Sequence, residues 1–261
     1  DLGSPSQIFY NPNDELMYYL ETDSMGFVPA VVGGAIGYFD PLTAVTYADI
    51  TYADIGHGAN YGVMHVENNK LYASGYQSGG LSILDCATKT SALISFGGAT
   101  SSSRGNVYRI GNYIYTSFAD IDGFVVVDAA TDTRIDDFIP PGSSAFSDFL
   151  LVEVAGAKVW VFYSGSTTTA AFASLFNIAD IVAPGTPVPL ATINNLSTVT
   201  NRNVVYNIPN AKLDFSGDKI WFVAVGEKVI RSISNTTLAI ADNIAMTSLN
   251  PYANFEMLLY P

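Results

Sequence analysis

One pattern returns five times along this chain. An apolar alternating segment leads through a variable connection to a second apolar segment ending in Asp or Asn. A short turn then starts another alternating segment. The first segments are "ELMYYLET" (15–22), "NKLYASGY" (69–76), "GNYIYTSF" (111–118), "GAKVWVFY" (156–163) and "GDKIWFVA" (217–224). The second segments end in "YFDPLT" (38–43), "ILDCAT" (83–88), "VVDAAT" (126–131), "LFNIAD" (175–180) and "SISNTT" (232–237). Their anchors, Asp40, Asp85, Asp128, Asn177 and Asn235, follow one another at 45, 43, 49 and 58 residues.

A period of roughly 40 to 50 residues built from four short strands is the sequence signature of a propeller blade. The remaining strands fall into place around the pattern. Inner strands precede the first segments, as in "VMHVENNKLYASGY", "VYRIGNYIYTSF" and "LVEVAGAKVWVFY", with hairpin turns at Asn68-Asn69, Gly111-Asn112 and Gly156-Ala157. Outer strands follow the anchors: "AVTYADI", "SALISF", "RIDDFI", "VPLATI" and "LAIADNI". The expected fold is all-β, a single β-propeller of about five four-stranded blades. Their expected spans are 6–55, 56–96, 97–141, 142–193 and 194–247. A last strand at 253–261, "NFEMLLYP", closes or completes the propeller, and cis closure is the favoured arrangement.

The anchors have a physical role of their own. An Asp or Asn side chain at a strand end accepts a hydrogen bond from the backbone two residues on and closes a tight turn. They are therefore read as turn-formers and not as metal ligands. Tyr72, Tyr115, Trp160 and Trp221 share one place in the repeat and are expected to be buried between neighbouring blades.

The stretch "NYIYTSFADIDGFVVVDAATDTRIDDFI" resembles the YVTN-type β-propeller repeat, in which a Tyr-Val strand is followed by "vsVID..T..v...I". The match is good in the second and third blades, weaker in the first and loose in the last two, where Asn replaces Asp. That resemblance implies a propeller fold and a secreted or cell-surface location. It brings no catalytic residues.

"TYADITYADI" (46–55) places the same five residues twice where the first outer strand is due. A displacement by an odd number puts Tyr47 and Tyr52 on opposite faces of one strand. The first copy is expected to be the outer strand, and the second to bend away towards Gly56.

Composition narrows the environment. Hydrophobic residues make up 49% of the 261 positions and charged ones 13%, the reverse of a disordered chain. With 11 basic against 24 acidic residues the net charge is −13. Nucleic acid is therefore excluded as an expected partner, because binding it needs clustered cations to neutralise phosphates. No apolar run approaches a membrane span, so no membrane insertion is expected. The acidic balance fits a cationic partner or bound ions, and equally a surface that only maintains solubility. Cys86 stands alone, so no intrachain disulfide can form. The first residue, Asp1, is read as the product of removing a signal peptide or other leading sequence.

Propellers commonly bind ligands at one end, where strands two and three and successive blades are joined; this locates candidates by analogy of fold. The joins between blades carry His57, Arg104, Asp148 and Arg202. Those between strands two and three carry Glu21, Asp23, Asp120, Asp122 and Glu227. "SRGNVY" and "NRNVVY" set Arg104 and Arg202 at one offset before an inner strand, where two guanidiniums can grip a carboxylate, a sulfate or a sugar acid. Pairing with nearby Asp residues or loop carbonyls explains them as well.

The other candidates carry weaker signals. Of the two histidines, His57 follows a glycine and is the better acid or base, whereas His65 reads as a packed or edge residue. "ADIDG" (119–123) contains alternating acids and a glycine, a fragment of a Ca²⁺ loop lacking its distal Glu. Ca²⁺ is accordingly the one cofactor in view, and the metal ligands are undefined. The sequons at Asn195 and Asn235 mark expected glycosylation positions.

The reading that joins these points is a non-enzymatic extracellular binding or assembly module. It would be secreted or displayed at the cell surface, with a protein or glycan partner and a capacity for homo-oligomers or filaments. The alternative is a propeller enzyme, a metal-dependent lactonase or a glycan-active one, with its site at the channel mouth.

Overall fold

The computed structural model describes residues 4–22, 35–43, 50–51, 59–75, 80–96, 106–117, 123–143, 149–164, 171–183, 186–196, 211–224 and 227–246. Within them the repeat becomes five four-stranded sheets, each built from four consecutive strands paired in chain order. The first holds β1 (Ser4–Asn11), β2 (Leu16–Thr22), β3 (Ala35–Phe39) and β4 (Ile50–Thr51). The second holds β5 (Ala59–His65), β6 (Lys70–Gly75), β7 (Gly80–Asp85) and β8 (Thr90–Ser95). The third holds β9 (Val107–Ile110), β10 (Tyr113–Ser117), β11 (Phe124–Asp128) and β12 (Thr133–Phe138). The fourth holds β13 (Leu150–Val154), β14 (Lys158–Ser164), β15 (Ala171–Asn177) and β16 (Ala191–Ile193). The fifth holds β17 (Ala211–Leu213), β18 (Lys219–Ala224), β19 (Val229–Ser234) and β20 (Ala239–Ala245).

The strand types follow from their surroundings. The third strands β7 and β11 are buried at every position before their last residue, which is why β11 reads as an unbroken apolar run and β7 as one interrupted only by Ser82. The fourth strands β8 and β20 are largely exposed and mix polar with apolar residues. At Gly80 and Gly123, where the third strand begins, the backbone of the fourth strand comes very close. A Cβ on Gly80 would lie 2.1 Å from the Ile94 carbonyl oxygen, and one on Gly123 would lie 1.8 Å from that of Phe138. No side chain fits at either position.

The chain divides into two compact units, Asp1–Asp120 with Val125–Ile135, and Ile121–Phe124 with Asp136–Pro261. In the first, Tyr18, Leu20, Ile36, Leu71, Ala73, Leu84 and Cys86 form one buried cluster, flanked by Phe9, Leu16, Tyr38 and Met64. Burial pushes the Cys86 thiol up to about 11, so it packs as a small hydrophobe. In the second, Phe124 stacks on Phe138 with centroids 4.7 Å apart. Phe149 and Phe176 meet these two rings edge-on at 5.1 and 5.0 Å, a geometry favoured by ring quadrupoles.

Several expectations change in detail. The residues paired in β4, Ile50 and Thr51, straddle the junction of the two "TYADI" copies and do not end with the first copy. The other residues of that duplication lie outside the described ones, as does 253–261. In the fourth sheet Asn177 closes no Asx turn. The chain enters a short helix, α1 (Ile178–Ile181), and Asn177 Nδ2 donates to Asp180 at 2.8 Å. In the fifth sheet the anchor is Ser234, one residue earlier than expected. Its hydroxyl oxygen accepts the backbone N–H groups of Thr236 and Thr237 at 3.2 and 3.1 Å. Asn235 is thereby released for another contact.

Candidate functional site

A four-stranded meander places its connections alternately at its two ends. In every sheet the joins between strands one and two and between strands three and four share one end. The joins between strands two and three, and to the next sheet, leave from the other.

The first end is closed by short-range bonds. Asp40, Asp85 and Asp128 each accept the N–H two residues on, from Leu42 at 2.8 Å, Ala87 at 2.9 Å and Ala130 at 2.8 Å. The Leu42 N–H holds the Asp40 carboxyl below the usual carboxylate range, and the Thr88 N–H does so for Asp85. The same turn ends on a residue with positive φ in three sheets: Lys89 at 59°, Asp132 at 54° and Leu238 at 56°. The first hairpins use that region at Asn69, Gly111, Gly156 and Ala157, within the predicted turn pairs.

These turns also join neighbouring sheets. The aromatic of the second strand reaches the turn of the next sheet. Tyr18 bonds Asp14, and its hydroxyl lies 3.5 Å from the Cys86 carbonyl. The Tyr72 hydroxyl donates to Asp132 at 2.7 Å and lies 3.3 Å from the Ala129 carbonyl. Trp160 Nε1 donates to Asn235 Oδ1 at 2.9 Å, while Asn235 Nδ2 donates to the Gly217 carbonyl at 2.8 Å. Burial raises the Tyr18 and Tyr72 hydroxyls far above their ordinary pKa, and the neighbouring Asp14 and Asp132 carboxylates add to it. Lys89 crosses to Asp14 at 2.8 Å, and Lys70 crosses to Asp132. Tyr72, Tyr115 and Trp160 are fully buried, as expected of their repeat position. Trp221 is only half-buried, with Lys219 Nζ 5.6 Å from its ring centre.

By the repeat pattern the predicted binding residues are expected at the second end, and of these the structure describes Glu21 and Glu227. Glu21 pairs through its backbone with Pro5 near the end of β2. His57, Arg104, Arg202, Asp23, Asp120, Asp122 and Asp148 lie outside the described residues. Glu227, beside β19, is paired with Arg231 at 3.1 Å, and Arg231 also donates to the Leu196 carbonyl. Among the described residues no three His, Cys, Asp or Glu side chains gather as a metal site, and no helix is long and apolar enough to cross a membrane. Of the two sequons, Asn195 is exposed with φ at 58°, whereas the Asn235 carboxamide is committed to Trp160 and Gly217.

His65 is fully buried at the joining end, in line with its packed reading, but sequence reasoning missed its hydrogen bond. Its Nδ1 accepts the Asn68 N–H at 3.3 Å. Its position three residues before Asn68, in a segment ending at a hairpin, was the available signal.

No protein-family description matches the chain, and no curated protein matches it in sequence. Solved structures do match. The Dos1 propeller aligns with a TM-score of 0.66 at 9% identity, over 94% of this chain and 59% of that one. The β-propeller domain of Cps50 (Swd1) from Myceliophteria thermophila aligns at 0.53 and 11% identity, over 95% of this chain and 69% of that one. PorZ, an essential bacterial surface component of the type-IX secretion system of Porphyromonas gingivalis, aligns at 0.56 and 12% identity, over 92% of this chain and 28% of that one. The chain thus spans less than two thirds of the Dos1 chain and under a third of the PorZ chain. With five repeated four-stranded sheets, these alignments define a β-propeller. They concern the fold and carry no function across.

Proposed function

We propose that this propeller is a non-enzymatic extracellular binding or assembly module of the YVTN-type repeat class, secreted or held at the cell surface. Its ligand end is the one opposite the closed turns. The observation that carries this reading is the division of labour within each sheet. One end commits its polar groups to turns and to neighbouring sheets. The other takes the remaining connections, and the sequence sets Arg104 and Arg202 at matched offsets before inner strands expected to start there. Connecting segments held on a rigid scaffold are where binding residues concentrate. In a chain of net charge −13, two matched arginines select an anionic group, such as a carboxylate or sulfate on a glycan or a protein partner. The likeness to a surface component of a secretion system agrees with such a location.

The test applies a membrane-impermeant amine-reactive cross-linker to intact cells that produce the chain, wild type or R104A/R202A. The expected result is a higher-mass adduct with the wild type that the double variant fails to give while its melting temperature is unchanged. A chain that the reagent never reaches, or an adduct untouched by the double variant, overturns the proposal.

A further inference from the structure

His65 closes β5 and has no side-chain exposure. Its Nδ1 accepts the Asn68 N–H at 3.3 Å, which fixes the hairpin 65–70. Among the described residues its Nε2 has no hydrogen-bond partner. The hairpin it fixes is where three sheets of the first unit meet. Asn69 Oδ1 accepts from Asn11 at 2.7 Å and the Val66 carbonyl accepts from Asn13 at 2.6 Å, both from the first sheet. Asn68 Nδ2 donates to the Ala129 carbonyl of the third sheet, and Lys70 crosses to Asp132 beside it.

Charged groups surround the imidazole unevenly. Glu67 Oε2 lies 3.4 Å from Nδ1 and 2.7 Å from Arg109 Nη2 on β9. Lys70 extends from the start of β6, and the Tyr72 ring meets the imidazole edge-on at 6.5 Å. The first sheet reaches this hairpin through the neutral amides Asn11 and Asn13. Because the Asn68 N–H donates to it, Nδ1 of the neutral ring is the acceptor and the ring proton sits on Nε2. Protonated Nδ1 becomes a donor, loses that bond, and faces Glu67, which already serves Arg109.

We propose that His65 is an acid-sensitive latch: a proton taken from solvent at Nδ1 breaks its bond from Asn68 and loosens the hairpin that joins the first three sheets. Burial, and the Arg109 guanidinium after it, push the imidazole below its ordinary value, with Glu67 opposing. The folded state therefore favours the neutral form more than the unfolded chain does. The stabilisation is complete above the unfolded pKa of about 6.5 and is lost as pH falls from there towards the lower folded value.

The experiment compares wild type with His65→Asn, whose side-chain oxygen can still accept the Asn68 N–H but does not titrate. Amide exchange at Asn68 and Asn69, corrected for intrinsic rates, and the melting temperature are followed from pH 7.5 to pH 5. Wild type is expected to lose at least tenfold of its protection and several degrees, and the variant to stay nearly level. Equal losses in both overturn the latch. Should the variant fail to fold, the wild-type imidazole is titrated by NMR. A midpoint at the ordinary value with unchanged Asn68 exchange overturns it equally.

Discussion

Two junctions in the first unit make one contact with opposite charges. Between the first and second sheets, Asp14 faces Lys89 across Tyr18. Between the second and third, Lys70 faces Asp132 across Tyr72. Lys89 and Asp132 hold the same turn position at nearly the same φ. The backbone repeats, but the sign of the charge does not. A repeat that copied shape and charge together would let any sheet dock on any other. Here the third sheet's Asp132 would repel Asp14 if it took the second sheet's place. Such reversal selects one order by penalising the others. Between the fourth and fifth sheets, at the same turn, an indole locked on a carboxamide stands in place of the ion pair.

If the neutral junction relies on packing where the charged ones rely on partner choice, the effects should rank accordingly. Trp160→Ala removes a fully buried indole and its bond to Asn235. It should cost about 3–5 kcal/mol in denaturant unfolding, and a loss below about 1 kcal/mol would show that the sheets pack independently there. Lys70→Asp should cost about 1–2 kcal/mol, since attraction becomes repulsion in a half-buried setting. Adding Asp132→Lys should restore more than half of it, and simple additivity of the two single changes would show that the charges do not couple. Tyr72→Phe keeps the ring and loses the hydroxyl bonded to Asp132, for about 1 kcal/mol by the same measurement. At the opposite end, Arg104→Ala with Arg202→Ala should move stability by no more than about 0.5 kcal/mol. A larger change would place those arginines among the structural residues.

Much of this architecture was legible from the residues because short-range rules write it. Strand alternation, Asx turns and hairpin glycines act over a few positions, and the second strands β2, β6, β10 and β18 all fall within the segments that the repeat pattern marked. Failures came where side chains of different shape do one job. A serine hydroxyl closes the turn at Ser234 as a carboxylate does at Asp85, so alignment on Asp or Asn slipped by one residue. The long spacing from Asn177 to the next anchor was a visible sign of inserted chain, but nothing local identified it as α1. Trp221 shares a repeat position with Trp160 yet is half-exposed, because burial depends on what packs against a strand as well as on the strand. The candidate site was least legible. Its residues lie on connections without period, and a resemblance between "SRGNVY" and "NRNVVY" fixes sequence offsets, not distances.

Gly80 and Gly123 set a boundary for redesign of this protein. Gly80 opens β7 and Gly123 immediately precedes β11, each pressed against a carbonyl of the fourth strand, so neither tolerates even a methyl group. A library that randomised them would displace the outer strand, and its members would be lost to misfolding before any selection for a new ligand began.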